Sequence, residues 1–171
     1  DREQANRVAN IAQTIYTTLS PEADAEKVRY LRWAALLHEC GMIISSSRYH
    51  RHGHYIVSNA DMPGFSRLEQ DRLAALVLSQ RGTLKKVEDE LDALISTETV
   101  LALRLAVIFA HARKDVALPV MDAKRTSDGF EMRMEEVWLN AHPLTDYLLR
   151  EETEFWSKID RLVMGIALLL V

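Results

Sequence analysis

The sequence predicts a mainly α fold: a helical bundle with a small β-hairpin and a C-terminal helix. Three observations carry this. Apolar residues recur at spacings of three and four over most of the chain. The stretch STETVLALRLAVIFAHARK, 96–114, is apolar almost all round, as a buried central helix must be. Between Val116 and Met134 the period changes to two. A length of 171 residues suits one domain with a sizeable core and is short for two.

In chain order, Val8, Ile11, Ile15 and Leu19 form one stripe along a first helix over 2–19. Ser20-Pro21 ends it, and proline is well placed in a helix's first turn. A second helix ends near Cys40, with Val28, Leu31, Ala35 and His38 on one face and Gly41 as its stop. MIISSS, 42–47, reads as a loop, and a third helix runs from near His50 to Ser58-Asn59. DMPG, 61–64, is turn chemistry. Ser66 with Glu69 three residues on forms a capping box, opening a helix that points Leu73, Leu76 and Val77 inward. After the central helix, Val116, Leu118 and Val120 alternate. Across TSDG, 126–129, Phe130, Met132 and Met134 alternate with Glu131, Arg133 and Glu135. That predicts a hairpin turning at Asp128-Gly129, with Pro119 on an edge strand. Helical spacing resumes at Glu136 and breaks at Pro143. A last helix then runs from about Glu151 to the end, with LVMGIALLLV, 162–171, as its buried end. The division is a helical core over 1–115, then hairpin plus helices over 116–171. A chain that begins at Asp1 inside a helical pattern, without Met, reads as a piece of a larger protein.

Composition narrows the function classes. A net charge of -4 argues against non-specific nucleic-acid binding by the whole chain, so any anion site must be local. The one cysteine, Cys40, permits no disulfide within the chain, which fits a reducing, cytoplasmic setting. There is neither a signal peptide nor an apolar run long enough to span a bilayer.

The chemistry concentrates in RYHRHGHYI, 48–56. Three histidines and two arginines fall within seven positions, with no acid among them. On a helix His50 and His54 share a face; in an extended segment His50, His52 and His54 all do. Arg48 and Arg51 flank them, and Ser45, Ser46 and Ser47 offer hydroxyls just before. Guanidinium forks match phosphate oxygens, and a bound polyanion favours protonated histidine. Downstream, Arg81, Lys85 and Lys86 add charge. Together these residues read either as a phosphate-type anion site or as a solvated helix start. Nucleophilic catalysis finds little support. Cys40 lies in an apolar run that raises a thiol pKa, and no serine elbow or glycine-rich phosphate loop is present.

His38-Glu39 at the end of WAALLHECG calls for comparison with metal phosphohydrolases of the HD superfamily. There a His-Asp pair at a helix end joins a histidine from an earlier helix and an aspartate from a later one. Here no histidine precedes His38, the acid of the pair is a glutamate, and the later helix offers His111 where an aspartate is wanted. Asp115 lies about a turn further on. The ligand set reads as dismantled, with His38, Glu39 and His111 in a degenerate position and no metal expected in this chain.

The stretch LRWAALLHECGMIISSSRYHRHGHYIVSNADMPGFSRLEQDRLAALV, 31–77, resembles the C-terminal domain of the exopolyphosphatase and guanosine pentaphosphate phosphatase family. The ordered pieces AALLHE-G, YHRH, YI and N-D-PGFS-E carry the resemblance. DREQANRVANIA, LRLAVIFAHAR and HPLTDYLLREETEFW extend it over most of the chain. The resemblance implies an HD-domain-like helical domain without metal chemistry, which helps bind long polyphosphate and contributes dimer contacts. It implies that two N-terminal actin-like lobes, absent here, hold the catalytic glutamate, the phosphate loops and magnesium. Those lobes cleave terminal phosphate from polyphosphate or the 5′ phosphate from guanosine pentaphosphate. On that analogy Tyr49, His50, Arg51 and His52 carry the family's histidine-rich motif. Two departures stand out: Gln80-Arg81 where His-Arg is frequent, and Gly53 where serine is common.

The leading expectation is therefore an accessory domain of a phosphoanhydride hydrolase, not catalytic by itself. It would bind polyphosphate through Arg48, His50, Arg51, His52, His54, Arg81, Lys85 and Lys86. Its partners would be the catalytic lobes of the same polypeptide and a second copy in a homodimer, with neither nucleic acid nor membrane. Two alternatives stand beside it. One is a live HD-type phosphohydrolase using His38, Glu39, His50 or His54, and His111. The other is a structural dimerising module that uses Met164–Val171 and the hairpin edge.

Overall fold

Helix α1, Arg2–Leu19, starts where the Asp1 carboxylate accepts the Gln4 N–H, and it buries Val8, Ala12, Ile15 and Leu19. Helix α2, Ala25–Leu37, is capped by Asp24. The computed structural model describes residues 1–22, 24–126, 129–159 and 167–170. Helix α3 is Tyr49–Asn59, α4 is Arg67–Ser79 and α5 is Thr97–Phe109. The Ser66–Glu69 capping box opens α4 as the sequence predicts, satisfying an N–H at each of its two ends. Between α3 and α4, Phe65 N–H donates to the Met62 carbonyl, with Gly64 at φ +93. That is a turn with Pro63 and Gly64 in the positions their backbones favour.

Helix α5 is the hub. Its residues from Thr97 to Ala106 are all buried, save the part-exposed Glu98, and α1, α2, α4 and a later helix, Pro143–Ser157, pack around it. Each of its fully buried leucines, Leu101, Leu103 and Leu105, contributes about 1.5–3 kcal/mol by leaving water. The helix stops at Phe109 rather than running to Lys114. The backbone turns left-handed at Arg113, φ 55, which a helix cannot continue through.

Gly41 does not end α2. That helix stops at Leu37, and Gly41 lies inside a 3₁₀ turn, Cys40–Ile43, that packs on α3. The role of Gly41 is closeness. A Cβ there would lie 1.9 Å from the Tyr49 carbonyl oxygen and 2.4 Å from the Gly53 nitrogen. Cys40 follows the same contact: its thiol points to the Gly53 carbonyl at 3.9 Å, and burial pushes its pKa up.

The hairpin exists, displaced from where alternation put it. Strand β1 is Met121–Thr126 and β2 is Gly129–Met134, antiparallel, with Met121 opposite Met134 and Thr126 opposite Gly129. That register leaves residues 127 and 128 as the link. Asp128 of the expected turn lies outside the described residues. Val116, Leu118 and Val120 cannot join the ladder. Their partners would fall at 135 and beyond, where helix α6, Glu136–Ala141, begins.

Pro143 opens a helix instead of breaking one. Helix α7 runs from Pro143 at its first position to Ser157, so the C-terminal helix starts and stops earlier than expected. Of the apolar tail, residues 167–170 are a strand, β3, parallel to β2, giving the sheet order β1-β2-β3. Met164 lies outside the described residues. Among the described residues no helix is long and apolar enough to cross a membrane.

Candidate functional site

Helix α3 turns one face to the core: His50, Gly53 and Val57, at spacings of three and four, are buried. This decides between the two geometries open for the histidines. His50 goes inward, with 8% exposure. His54 turns to α4, its Nδ1 3.1 Å from the Ala74 carbonyl. His52 is half-buried, and its Cβ lies beside Gly41. Arg48, at the helix's N-cap in the left-handed region, φ 52, is exposed, as is Arg51.

Cations from three further segments converge on His50. Lys86 comes from a 3₁₀ turn, Leu84–Val87, Arg81 from the loop after α4, and Arg104 from α5. Burial comes first, and then Lys86, Arg81, Arg51 and Arg104 in turn. Together they hold the His50 imidazole neutral, its pKa pulled down to about 3. Lys86 is affected in the same way. Burial first, then Arg104, Arg51 and Arg81, bring its ammonium down to about 7, while Glu152 acts in the opposite direction. The Nδ1 atom of His50 is buried with no hydrogen-bond partner. Lys85 is exposed, with its N–H donating to the Thr83 hydroxyl.

Backbone carbonyls at the C-terminal end of α4 hold two of these cations. Lys86 Nζ donates to the Arg81 carbonyl. Arg104 donates to Ser79 O at 2.6 Å and Gly82 O at 2.9 Å. It also grips Glu152 of α7 through Nε at 2.5 Å and Nη2 at 2.8 Å, both side chains being almost fully buried. Trp156 Nε1 donates to the same carboxylate at 2.6 Å. The Arg81 guanidinium lies over the Tyr49 ring, 5.1 Å from its centroid.

Beside this cluster a cleft of about 450 Å³ is lined by His38, Glu39, His111, Gln80, Arg81, Arg104 and Arg113, among others. It brings His38, Glu39 and His111 to one place. Each is already engaged. His38 Nδ1 lies 2.6 Å from the Ala35 carbonyl, and burial pulls its pKa down. Glu39 accepts both arms of Arg113, at 2.5 and 3.1 Å. Burial works against the ionised Glu39, but Arg113 and His38 outweigh it and hold the pKa below the ordinary carboxylate value. His111 Nε2 faces the Thr145 hydroxyl at 3.1 Å. A guanidinium thus neutralises the acid of the pair. Asp115 is 95% exposed and paired with Arg7. Among the described residues no group of three or more histidine, cysteine or acidic side chains is placed to hold a metal ion. Gln80 is buried. Its amide donates to the carbonyls of His38 and Val77.

Sequence reasoning missed Arg104, Glu152 and Arg113. Arg104 had one visible sign, a lone charge within VLALRLAVIF.

The family described as "Ppx/GppA phosphatase, domain III" matches residues 1–153. A guanosine-5'-triphosphate,3'-diphosphate pyrophosphatase of Pseudoalteromonas atlantica is 35% identical over 162 residues, covering 89% of this chain and 32% of that protein. The protein of the same name from Pseudoalteromonas translucida is 32% identical over 165 residues, covering 93% and 33%. The chain thus spans about a third of the length of these curated relatives. By sequence, the chain belongs to the Ppx/GppA phosphatase family as its domain III.

Proposed function

We propose that this domain binds a polyanionic phosphate chain, polyphosphate or the phosphates of a guanosine polyphosphate, and presents it to catalytic lobes elsewhere in a hydrolase. One observation carries the reading. Arg51, Arg81, Lys86 and Arg104, from four separate segments, gather around a buried neutral histidine, in a chain whose net charge is -4. Like charges collected at such a cost to the ionisation of Lys86 and His50 are stabilised by a ligand of opposite charge. Exposed Arg48 and Lys85 extend the positive surface along the two neighbouring segments, with half-buried His52 and His54 beside them. The names of the two relatives, which denote a substrate rich in phosphate, point the same way. Catalysis in this account belongs to lobes that carry magnesium. The engaged state of His38, Glu39 and His111 supports a holding role for this domain, in a cytoplasmic enzyme that pairs with a second copy.

The test is calorimetric titration of the chain with long-chain polyphosphate at two salt concentrations. Binding that weakens steeply with salt is the expected result, because each cation that meets a phosphate displaces a counterion. Absence of binding at low salt would overturn the reading.

A further inference from the structure

Lys86 and His50 occupy the site in a way that an anion would change. His50 is 92% enclosed by the protein, and its Nδ1 meets no acceptor or donor. A buried polar atom left alone is costly, and the charges that act on this imidazole, Lys86, Arg81, Arg51 and Arg104, are all cationic. The charged groups that act most strongly on the pair come from four other places: Arg51 on α3, Arg81 after α4, Arg104 on α5, and Glu152 on α7. Glu152 is the one acid among them, and it is already gripped by Arg104 and Trp156. The Lys86 amine keeps one contact, the Arg81 carbonyl, and lies next to Gly82, where a Cβ would be only 3.6 Å from Nζ.

Resting on the reading above, we propose that the site binds a phosphate group together with a proton, which Lys86 Nζ takes from solvent, while neutral His50 donates its Nδ1–H to the same anion. The amine's lone pair forms the new N–H bond, and the buffer supplies the proton. The free site is poised for this, since Lys86 titrates near 7 among its cationic neighbours. An anion between Arg51, Arg81 and Lys86 offsets their repulsion and raises the affinity of Nζ for the proton. The sign follows. Where the free amine is already charged, below neutrality, binding takes up no proton and affinity is flat. Above neutrality one proton enters with each anion, and affinity falls as pH rises.

The experiment uses trimetaphosphate, a cyclic ion without a terminal phosphate, whose own charge does not change over this range. It is titrated into the chain in buffers of different ionisation enthalpy. Uptake near one proton per ion is expected at about pH 8, and near none at about pH 5.5, with affinity falling up to about tenfold per pH unit on the alkaline side. Lys86→Arg, permanently charged, retains binding and loses both the uptake and the slope. His50→Leu weakens binding at every pH by about tenfold and leaves the proton count unchanged. Binding with no uptake at alkaline pH, or uptake that survives Lys86→Arg, would overturn the proton linkage and leave the polyphosphate reading standing. No binding of trimetaphosphate or polyphosphate at any pH would overturn both.

Discussion

Replacing Arg104 by alanine is expected to lower the unfolding free energy by about 3–5 kcal/mol, because it strands a buried carboxylate. Glu152, 4% exposed, would lose both guanidinium contacts and keep only the Trp156 N–H. The carbonyls of Ser79 and Gly82 would lose their donors at the same time. For a domain of this size the melting temperature should fall by roughly 10 °C. Lysine cannot restore the arrangement, since one ammonium cannot reproduce the guanidinium fork that reaches a carboxylate and two carbonyls at once. The double replacement Arg104→Met with Glu152→Leu should cost less than the single one, because no charge is then left buried alone. Urea unfolding of the three variants checks the ordering. A loss below about 1 kcal/mol for Arg104→Ala would contradict it.

Gly41→Ala is expected to cost about 3 kcal/mol or more, at the upper end of overpacking. The atoms in the way are backbone, the Tyr49 carbonyl and the Gly53 nitrogen, so no side chain can rotate aside. The 3₁₀ turn would have to separate from α3, and α3 carries His50 and Arg51. The variant should therefore lose anion affinity as well as stability. Gly64→Ala is the comparison. Its φ of +93 strains any side chain, but nothing lies within 4 Å, so a loss of about 1–2 kcal/mol is expected. Equal midpoints for the two variants in urea would argue against close approach as the role of Gly41.

What was legible in the sequence was whatever rests on neighbours along the chain. The apolar stripes of α1 and α4, the Ser66–Glu69 cap and the Pro63-Gly64 turn each need only a few consecutive residues. Boundaries failed where a distant partner decides. β1 follows the register that β2 imposes, not its own alternation. The tail's helix-like apolarity gave way at 167–170 because β2 offered an open edge. Pro143 is ambiguous on its face, since proline ends one helix and begins another with equal ease.

The candidate site divides along the same line. The basic residues were visible as a run, but not which of them turn inward. His50 is distinguished from His54 by α4 and by the turn carrying Lys86, far along the chain. The engaged acid of the HD-like pair depends on Arg113, 74 residues from Glu39. Arg104 and Glu152 stand 48 residues apart, and no local pattern joins them.

The proposed anion site is formed by Arg51 and Arg81, beside Lys86 and His50. The most direct measurement compares the chain with its Arg51→Ala, Arg81→Ala variant in titrations with long-chain polyphosphate across a salt series. Both arginines are exposed, so the fold should be kept, which circular dichroism checks. Weaker binding is expected, by about tenfold or more, with a shallower salt dependence, lower by roughly two counterions. An unchanged affinity with an unchanged slope would place the polyanion elsewhere on the domain and contradict the site.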